Sequence, residues 1–219
     1  MRKHSASGRP RTWPNRKPAA NKSPAPVLTP ALEGQTLTRI IGPTVRAMTD
    51  IGAPYSGVLY AGLMLTRDGP KLIEYNCRFG DPECQVLMMR LESDLGELLL
   101  ACAENRLSAC EPPRFSPDTA LTVVMAAEGY PGTPTKGGRI DGLDKAEASG
   151  AKVFHAGTAR DDSGNLIANG GRVLNVTARA PTVREAQAAA YAAVDAIDFA
   201  QGFCRRDIGW REVDREGRG

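Results

Sequence analysis

Residues 71–83 read KLIEYNCRFGDPE. A strand-like apolar run ends in a glutamate and an asparagine two positions apart, then passes through an arginine into Gly-Asp-Pro-Glu. Side chains two apart on a strand point to the same face. Glu74 and Asn76 therefore present one charged and one neutral oxygen ligand side by side. Hard cations such as Mg2+ take oxygen ligands, commonly one or two protein groups together with nucleotide phosphates. Arg78 continues the alternation, and a guanidinium there can hold a phosphoryl group or a carboxylate through paired hydrogen bonds. The next residues predict a helix, with Asp81 as N-cap, Pro82 at its first position and Glu83 in its first turn. The free backbone N–H groups of such a start favour an anion. Together the string reads as a site for metal-assisted phosphoryl chemistry. A plainer reading stands beside it. Glu-x-Asn is also common at solvated strand ends, and Arg78 with Asp81 can form a surface ion pair that contributes little.

Working outward, SGVLYAGLMLT (56–66) reads as a strand and RDGP as a turn, so that 71–76 is the second strand of the pair. Upstream, Thr29 predicts a helix N-cap with Pro30 at the first helical position. Leu37, Ile40, Ile41, Val45 and Met48 predict one buried face, and Pro43 a kink or division of that helix. Downstream, a second helix is expected from Ser93-Asp94, with Leu95, Leu98, Leu99 and Cys102 at helical spacing. SACEPPRFSPD (108–118) reads as a linker. Beyond it the pattern changes to strands at TALTVVMAA (119–127), AKVFHAGT and GGRVLNVTARA, with ARDDSGN between the last two. Thr182 and Glu185 form a Thr-x-x-Glu capping box that opens a helix. Val183, Ala186, Ala190, Val194 and Ile197 keep one face of it apolar, and its many alanines imply close packing on a sheet. Arg172, after a Gly-Gly pair that permits close backbone approach to a ligand, is either a ligand contact or a strand entry. His155 is expected to be a buried structural residue, and Lys136 a solvated loop charge.

The net charge of +3 is unevenly spread. Residues 1–22 hold seven lysines and arginines and no acid; the remaining 21 basic residues are outnumbered by 25 acidic ones, so residues 23–219 carry −4. A nucleic-acid reading from overall charge would rest on that leader alone. The leader is Pro-rich and without apolar period, which predicts a disordered tail; an amphipathic transit peptide is not evident in it. Five cysteines, with no CxxC pair, predict reduced thiols in a cytoplasmic protein. Two histidines leave little for a Cys/His zinc site. No apolar run approaches the ~18 residues of a membrane span, so neither nucleic acid nor membrane is an expected partner.

Several long stretches carry a resemblance. SPAPVLTPAL (23–32), the segment from GAPYSG to LESDL (52–95), GTA with NGGRVLNVTA (157–159 and 169–178), and YAAVDAI with RRDIGW resemble the C-terminal half of the phosphoribosylamine–glycine ligases. These ATP-grasp enzymes of purine synthesis are also called glycinamide ribonucleotide synthetases. The resemblance runs from about Ser23 to Trp210. It implies an α+β fold: the C-terminal part of an ATP-grasp core (23–107), the linker, then a small α+β C-terminal domain (119–212) and a short tail. It further implies ATP-dependent joining of glycine to 5-phosphoribosylamine through glycyl phosphate, with ADP released. Mg2+ or Mn2+ would be held by Glu74 and Asn76. Arg78 would lie near the transferring phosphoryl group or the glycine carboxylate, with Gly80, Asp81 and Glu83 in the substrate pocket; Arg172 stays a candidate substrate contact on its own Gly-Gly reading.

The chain also departs from the family. The N-terminal domain, the Gly-rich loop with its phosphate lysines and the adenine hinge are not found. Where the family has an approach such as GPNTGGMGAY before Ser23, this sequence has RPRTWPNRKPAANK. The expectation is a truncated, frameshifted or misassembled gene whose product is inactive alone. The alternative is a non-catalytic C-terminal subunit that complements a separately encoded N-terminal half.

Overall fold

The computed structural model describes residues 22–218, so residues 1–21 of the basic leader lie outside it. Lys22 itself is not tail. With Ser23 it forms a two-residue strand, β1 (Lys22–Ser23), laid antiparallel on residues 120–121.

A first lobe follows. Helix α1 (Pro30–Thr36) starts as expected: the Thr29 hydroxyl accepts from Leu32 N at 3.3 Å, and Pro30 stands where a missing N–H costs nothing. Pro43 divides the helix. The turn before it, Leu37–Ile41, widens to π geometry, with Gly42 N–H reaching back to Leu37 O, and α2 (Gly42–Asp50) continues beyond. The apolar face expected here is only half covered: Ile40, Ile41, Val45 and Met48 are half-buried, and Leu37 is 53% exposed. Strands β2 (Tyr60–Thr66) and β3 (Gly69–Asn76) form an antiparallel hairpin around Arg67-Asp68, with a bulge between Gly62 and Leu63. Helix α3 (Glu83–Arg90) comes next. It is followed by α4 (Leu95–Ala103), whose N-cap is Asp94, with the carboxylate accepting from Glu97 N at 3.0 Å.

The proline-rich stretch 108–118 is not a loose tether. Ser116 N donates to Arg90 O, Glu92 N to Arg114 O, and the Arg90 guanidinium reaches both Ser116 O and Ser23 Oγ.

The C-terminal domain is built on β4 (Thr119–Ala127), the strand expected from the sequence. In chain order come α5 (Leu143–Glu147), β5 (Lys152–His155), the hairpin β6 (Thr158–Arg160) and β7 (Leu166–Ala168), β8 (Arg172–Ala180), α6 (Val183–Asp195), β9 (Gly202–Cys204) and α7 (Trp210–Glu216). The antiparallel sheet runs β1-β4-β8-β5, with β9 sharing the outer edge of β4 with β1. Alternation sorts its two faces. Leu121, Val123 and Met125 lie across from Ala178, Val176 and Leu174, and all six pack on α6. There Ala186 and Ala190 are fully buried, so small side chains do bring the helix close to the sheet. The capping box at Thr182 and Glu185 is formed. On the opposite face the hydroxyl of Thr177 donates to that of Thr122 at 2.8 Å, and α3 lies over these residues, its Met89 carbonyl held by Arg179. One helix from each region thus sandwiches the same sheet.

Candidate functional site

The hairpin positions the pair that the sequence singles out. Glu74 lies across from Gly62, and Asn76 across from Tyr60. Both are on one face at the strand end, Glu74 exposed and Asn76 half-buried. Gly62 leaves room for the Glu74 side chain, which passes over it. Among the described residues neither Glu74 nor Asn76 has a side-chain hydrogen bond or ion pair, so their oxygens are uncommitted. The donor set is hard and small. No cluster of three acidic, histidine or cysteine side chains that could hold a metal occurs among the described residues. A cation here would therefore complete its shell with phosphate or water oxygens, which is how Mg2+ is usually bound. The residues fit Mg2+ or Mn2+ in that mode.

Tyr60, which the sequence reading passed over as one more apolar strand residue, belongs to this face. Its hydroxyl donates to Glu83 Oε1 at 3.2 Å. Burial, with the Glu83 and Glu74 carboxylates nearby, pushes the phenol up to about 12, so it remains a donor at any ordinary pH. Glu83 is buried, 7% exposed, and tucks against Gly80; a Cβ on Gly80 would run into the Glu83 side chain and force it to move.

Three sequence expectations are corrected. Asp81 does not cap α3: the helix starts from Pro82 with no side-chain cap. The Asp81 carboxylate is instead taken by Arg172, whose Nη2 donates to Oδ2 at 2.6 Å while Nη1 donates to the Asp81 carbonyl at 3.3 Å. Arg78 therefore makes no ion pair with Asp81. Its side chain is exposed and, among the described residues, bonded only to its neighbour's carbonyl, Phe79 O, at 2.7 Å. Arg172 is the first residue of β8 and brings the C-terminal domain to the site loop. His155, expected to be buried, is exposed at the end of β5, with Nδ1 3.1 Å from Thr158 Oγ1. Lys136 is exposed in a loop. Glu74 and Asn76 thus come from one strand end, Arg78, Gly80 and Asp81 from the loop after it, Glu83 from the first position of α3, and Arg172 from the start of β8.

Comparison with known proteins adds the decisive observation. Residues 19–84 match the family model described as phosphoribosylglycinamide synthetase, ATP-grasp (A) domain, and residues 120–211 match its C domain. The chain belongs to this family. The first match ends just past the site loop, so Glu74 to Glu83 lie inside the ATP-grasp portion. A phosphoribosylamine–glycine ligase of Mesorhizobium japonicum is 60% identical over 194 residues, covering 89% of this chain and 45% of the relative. One of Brucella melitensis is 55% identical, covering 97% and 50%. The crystal structure of the Thermotoga maritima phosphoribosylamine–glycine ligase superposes with a TM-score of 0.69 at 32% identity, over 84% of this chain and 45% of that one. The biotin carboxylase subunit of pyruvate carboxylase, at 18% identity and a TM-score of 0.54, shares the fold alone. The chain spans about half the length of the curated relatives it matches. No described helix is long and apolar enough to cross a membrane.

Proposed function

We propose that this chain supplies the metal-binding strand and C-terminal domain of a phosphoribosylamine–glycine ligase, which joins glycine to 5-phosphoribosylamine at the expense of ATP. The observation that carries the reading is the Glu74–Asn76 pair: two hard oxygen donors on one strand face, uncommitted to other protein groups, inside the segment matched by the ATP-grasp domain. In this reaction the glycine carboxylate attacks the γ-phosphoryl group and ADP leaves. The amine of 5-phosphoribosylamine then displaces phosphate from glycyl phosphate. A divalent cation held by Glu74 and Asn76 would supply charge neutralisation at the nucleotide phosphates.

The protein's own part is positioning and fixed charge. Arg78 carries a guanidinium that, among the described residues, is bonded only to Phe79 O and can face the phosphoryl group or the glycine carboxylate. Gly80, with no side chain, and Glu83, buried and held by Tyr60, shape the loop beneath it. A cytoplasmic setting belongs to the same proposal; the five cysteines are all unpaired, as suits a reducing compartment.

A second reading has one observation in its favour. Ile51, Ile73, Leu99 and Leu100 are 73%, 60%, 47% and 53% exposed, which suits a chain that works as the C-terminal partner of a separately supplied N-terminal half. One experiment addresses both. The chain is mixed with the N-terminal half of the Mesorhizobium japonicum relative, and ADP release that requires both glycine and 5-phosphoribosylamine is followed. The expectation is no turnover by the chain alone, turnover in the mixture, and its loss on Glu74→Ala. A mixture that stays inactive, although the same N-terminal half works with its own C-terminal half, rejects the ligase reading.

A further inference from the structure

We propose that Arg172 is a positioning residue: it clamps the site loop, residues 78–83, to the C-terminal domain and so sets where Arg78 stands relative to Glu74 and Asn76. The inference rests on the site reading above, but its central observations do not depend on the reaction.

Among the described residues, Arg172 spends its side chain on a single partner, Asp81. One nitrogen donates to the Asp81 carboxylate at 2.6 Å and another to the Asp81 carbonyl at 3.3 Å, across 91 positions of sequence. A planar guanidinium can address a carboxylate and a carbonyl at once, whereas an ammonium offers a point charge. The base from which it reaches is held tightly. Gly171 O accepts from Ala127 N and Arg172 O from Gly157 N, both at 2.9 Å. A Cβ on Gly171 would strike the Tyr130 ring, and one on Gly157 would lie 2.7 Å from Arg172 O. The Gly-Gly pair before Arg172 therefore permits a close approach of backbone to Tyr130 and residue 157. A bulge between Met125 and Ala126, where β4 meets Arg172, re-aims the strand at this point.

The loop is gripped from the other side as well. Glu83 is buried and receives the Tyr60 hydroxyl, and Cys84 N donates to Gly80 O at 2.9 Å. Arg78 sits at the loop's start with its own side chain exposed. The hairpin lobe thus supplies the oxygen pair, and the C-terminal domain supplies the restraint on the loop that follows it. Because Arg172 and Asp81 are 38% and 41% exposed, their bond adds little to global stability. Its effect should be local order.

The test is hydrogen exchange on the full chain, without substrate. Arg172→Gln is expected to speed exchange in the peptide spanning 78–84, with the Cys84 amide as reporter, by about tenfold, the loss of one charged hydrogen-bonded contact. Amides of β4 and β8 should keep their rates, and the urea midpoint should not move. Asp81→Asn should match it, the double variant should be no worse than either alone, and Arg172→Lys should recover part of the protection. In the mixture with the N-terminal half, Arg172→Gln should lower kcat about tenfold with KM for glycine and 5-phosphoribosylamine within about twofold. Unchanged exchange at 78–84 in Arg172→Gln overturns the proposal. So does a raised KM at unchanged kcat, which would make Arg172 a substrate contact. The exchange arm needs no turnover, so the ligase reading can fail while the clamp stands, and the reverse.

Discussion

The hairpin lobe and the C-terminal domain are built with the same local devices and differ in what covers them. Thr29 and Asp94 cap helices in the lobe as Thr182 does in the domain. Yet in the domain Leu121, Leu174 and Val176 are fully buried against α6, while in the lobe Ile51 is 73% and Ile73 60% exposed. Capping and periodicity start and stop helices; burial supplies most of the stability. The oxygen pair Glu74–Asn76 stands on the less covered side of this divide, and its loop is tied back to the well-packed side through Arg172. The proposed metal pair thus stands on the element that is less covered.

The contrast can be broken most sharply in the core. Leu174→Ala should cost about 2–5 kcal/mol, seen as a large drop in the denaturant midpoint, whereas Ile73→Ala should stay within about 0.5 kcal/mol. Equal losses would mean that the lobe and the domain share one core. A smaller effect is expected at Glu212, which is 6% exposed and bonded by Arg215 and, at 3.1 Å, by Lys22. Glu212→Gln should cost roughly 1.5–3 kcal/mol and loosen β1. The same residue gives the pH dependence. Burial works against its ionisation, but Arg215 and Lys22 outweigh that and hold the carboxyl below its usual range. Asp207 is lowered by Arg205, and Glu147 by Lys152. Groups with a depressed native pKa stabilise above their unfolded value, about 4, and lose that contribution as pH falls through the native value. The domain's midpoint should therefore fall between about pH 5 and 3, with a shallower slope in Glu212→Gln. A steeper slope in that variant would contradict the assignment. The smallest effect concerns the caps. Thr182→Ala should cost about 1 kcal/mol in the domain. Thr29→Ala, on a helix with little burial, should fray α1 by circular dichroism without moving the global midpoint.

What the sequence discloses follows a different line, that of locality. Local signals were legible: the capping box at Thr182, the Thr29-Pro30 start, the division at Pro43, the strand at 119–127. Short elements were not. β6 and β7 are three residues each around a loop whose Asp161 carboxylate accepts from Ser163 N and Asn165 N, and that loop reads in sequence as a mere separator. Asp81 has a good N-cap signature, but Arg172, distant in sequence, took its carboxylate, and no local rule sees that competition. Tyr60 was hidden by the bulge. Counting back from the Thr66–Gly69 pair without it would place Tyr60 across from Tyr75, on the wrong face, instead of across from Asn76. That Glu74 and Asn76 share one face was legible because their spacing lies within three residues.

The zipped stretch 108–118 has a mechanical consequence. Its backbone bonds to Arg90 and Glu92, together with the Arg90 guanidinium on Ser116 O and Ser23 Oγ, make a seam between the two halves. A seam of this kind has no slack. Tension applied between the hairpin and the sheet would load these bonds together with the Arg172–Asp81 and Arg179–Met89 contacts before any chain paid out, so the halves should separate in one abrupt step, with no preceding drift.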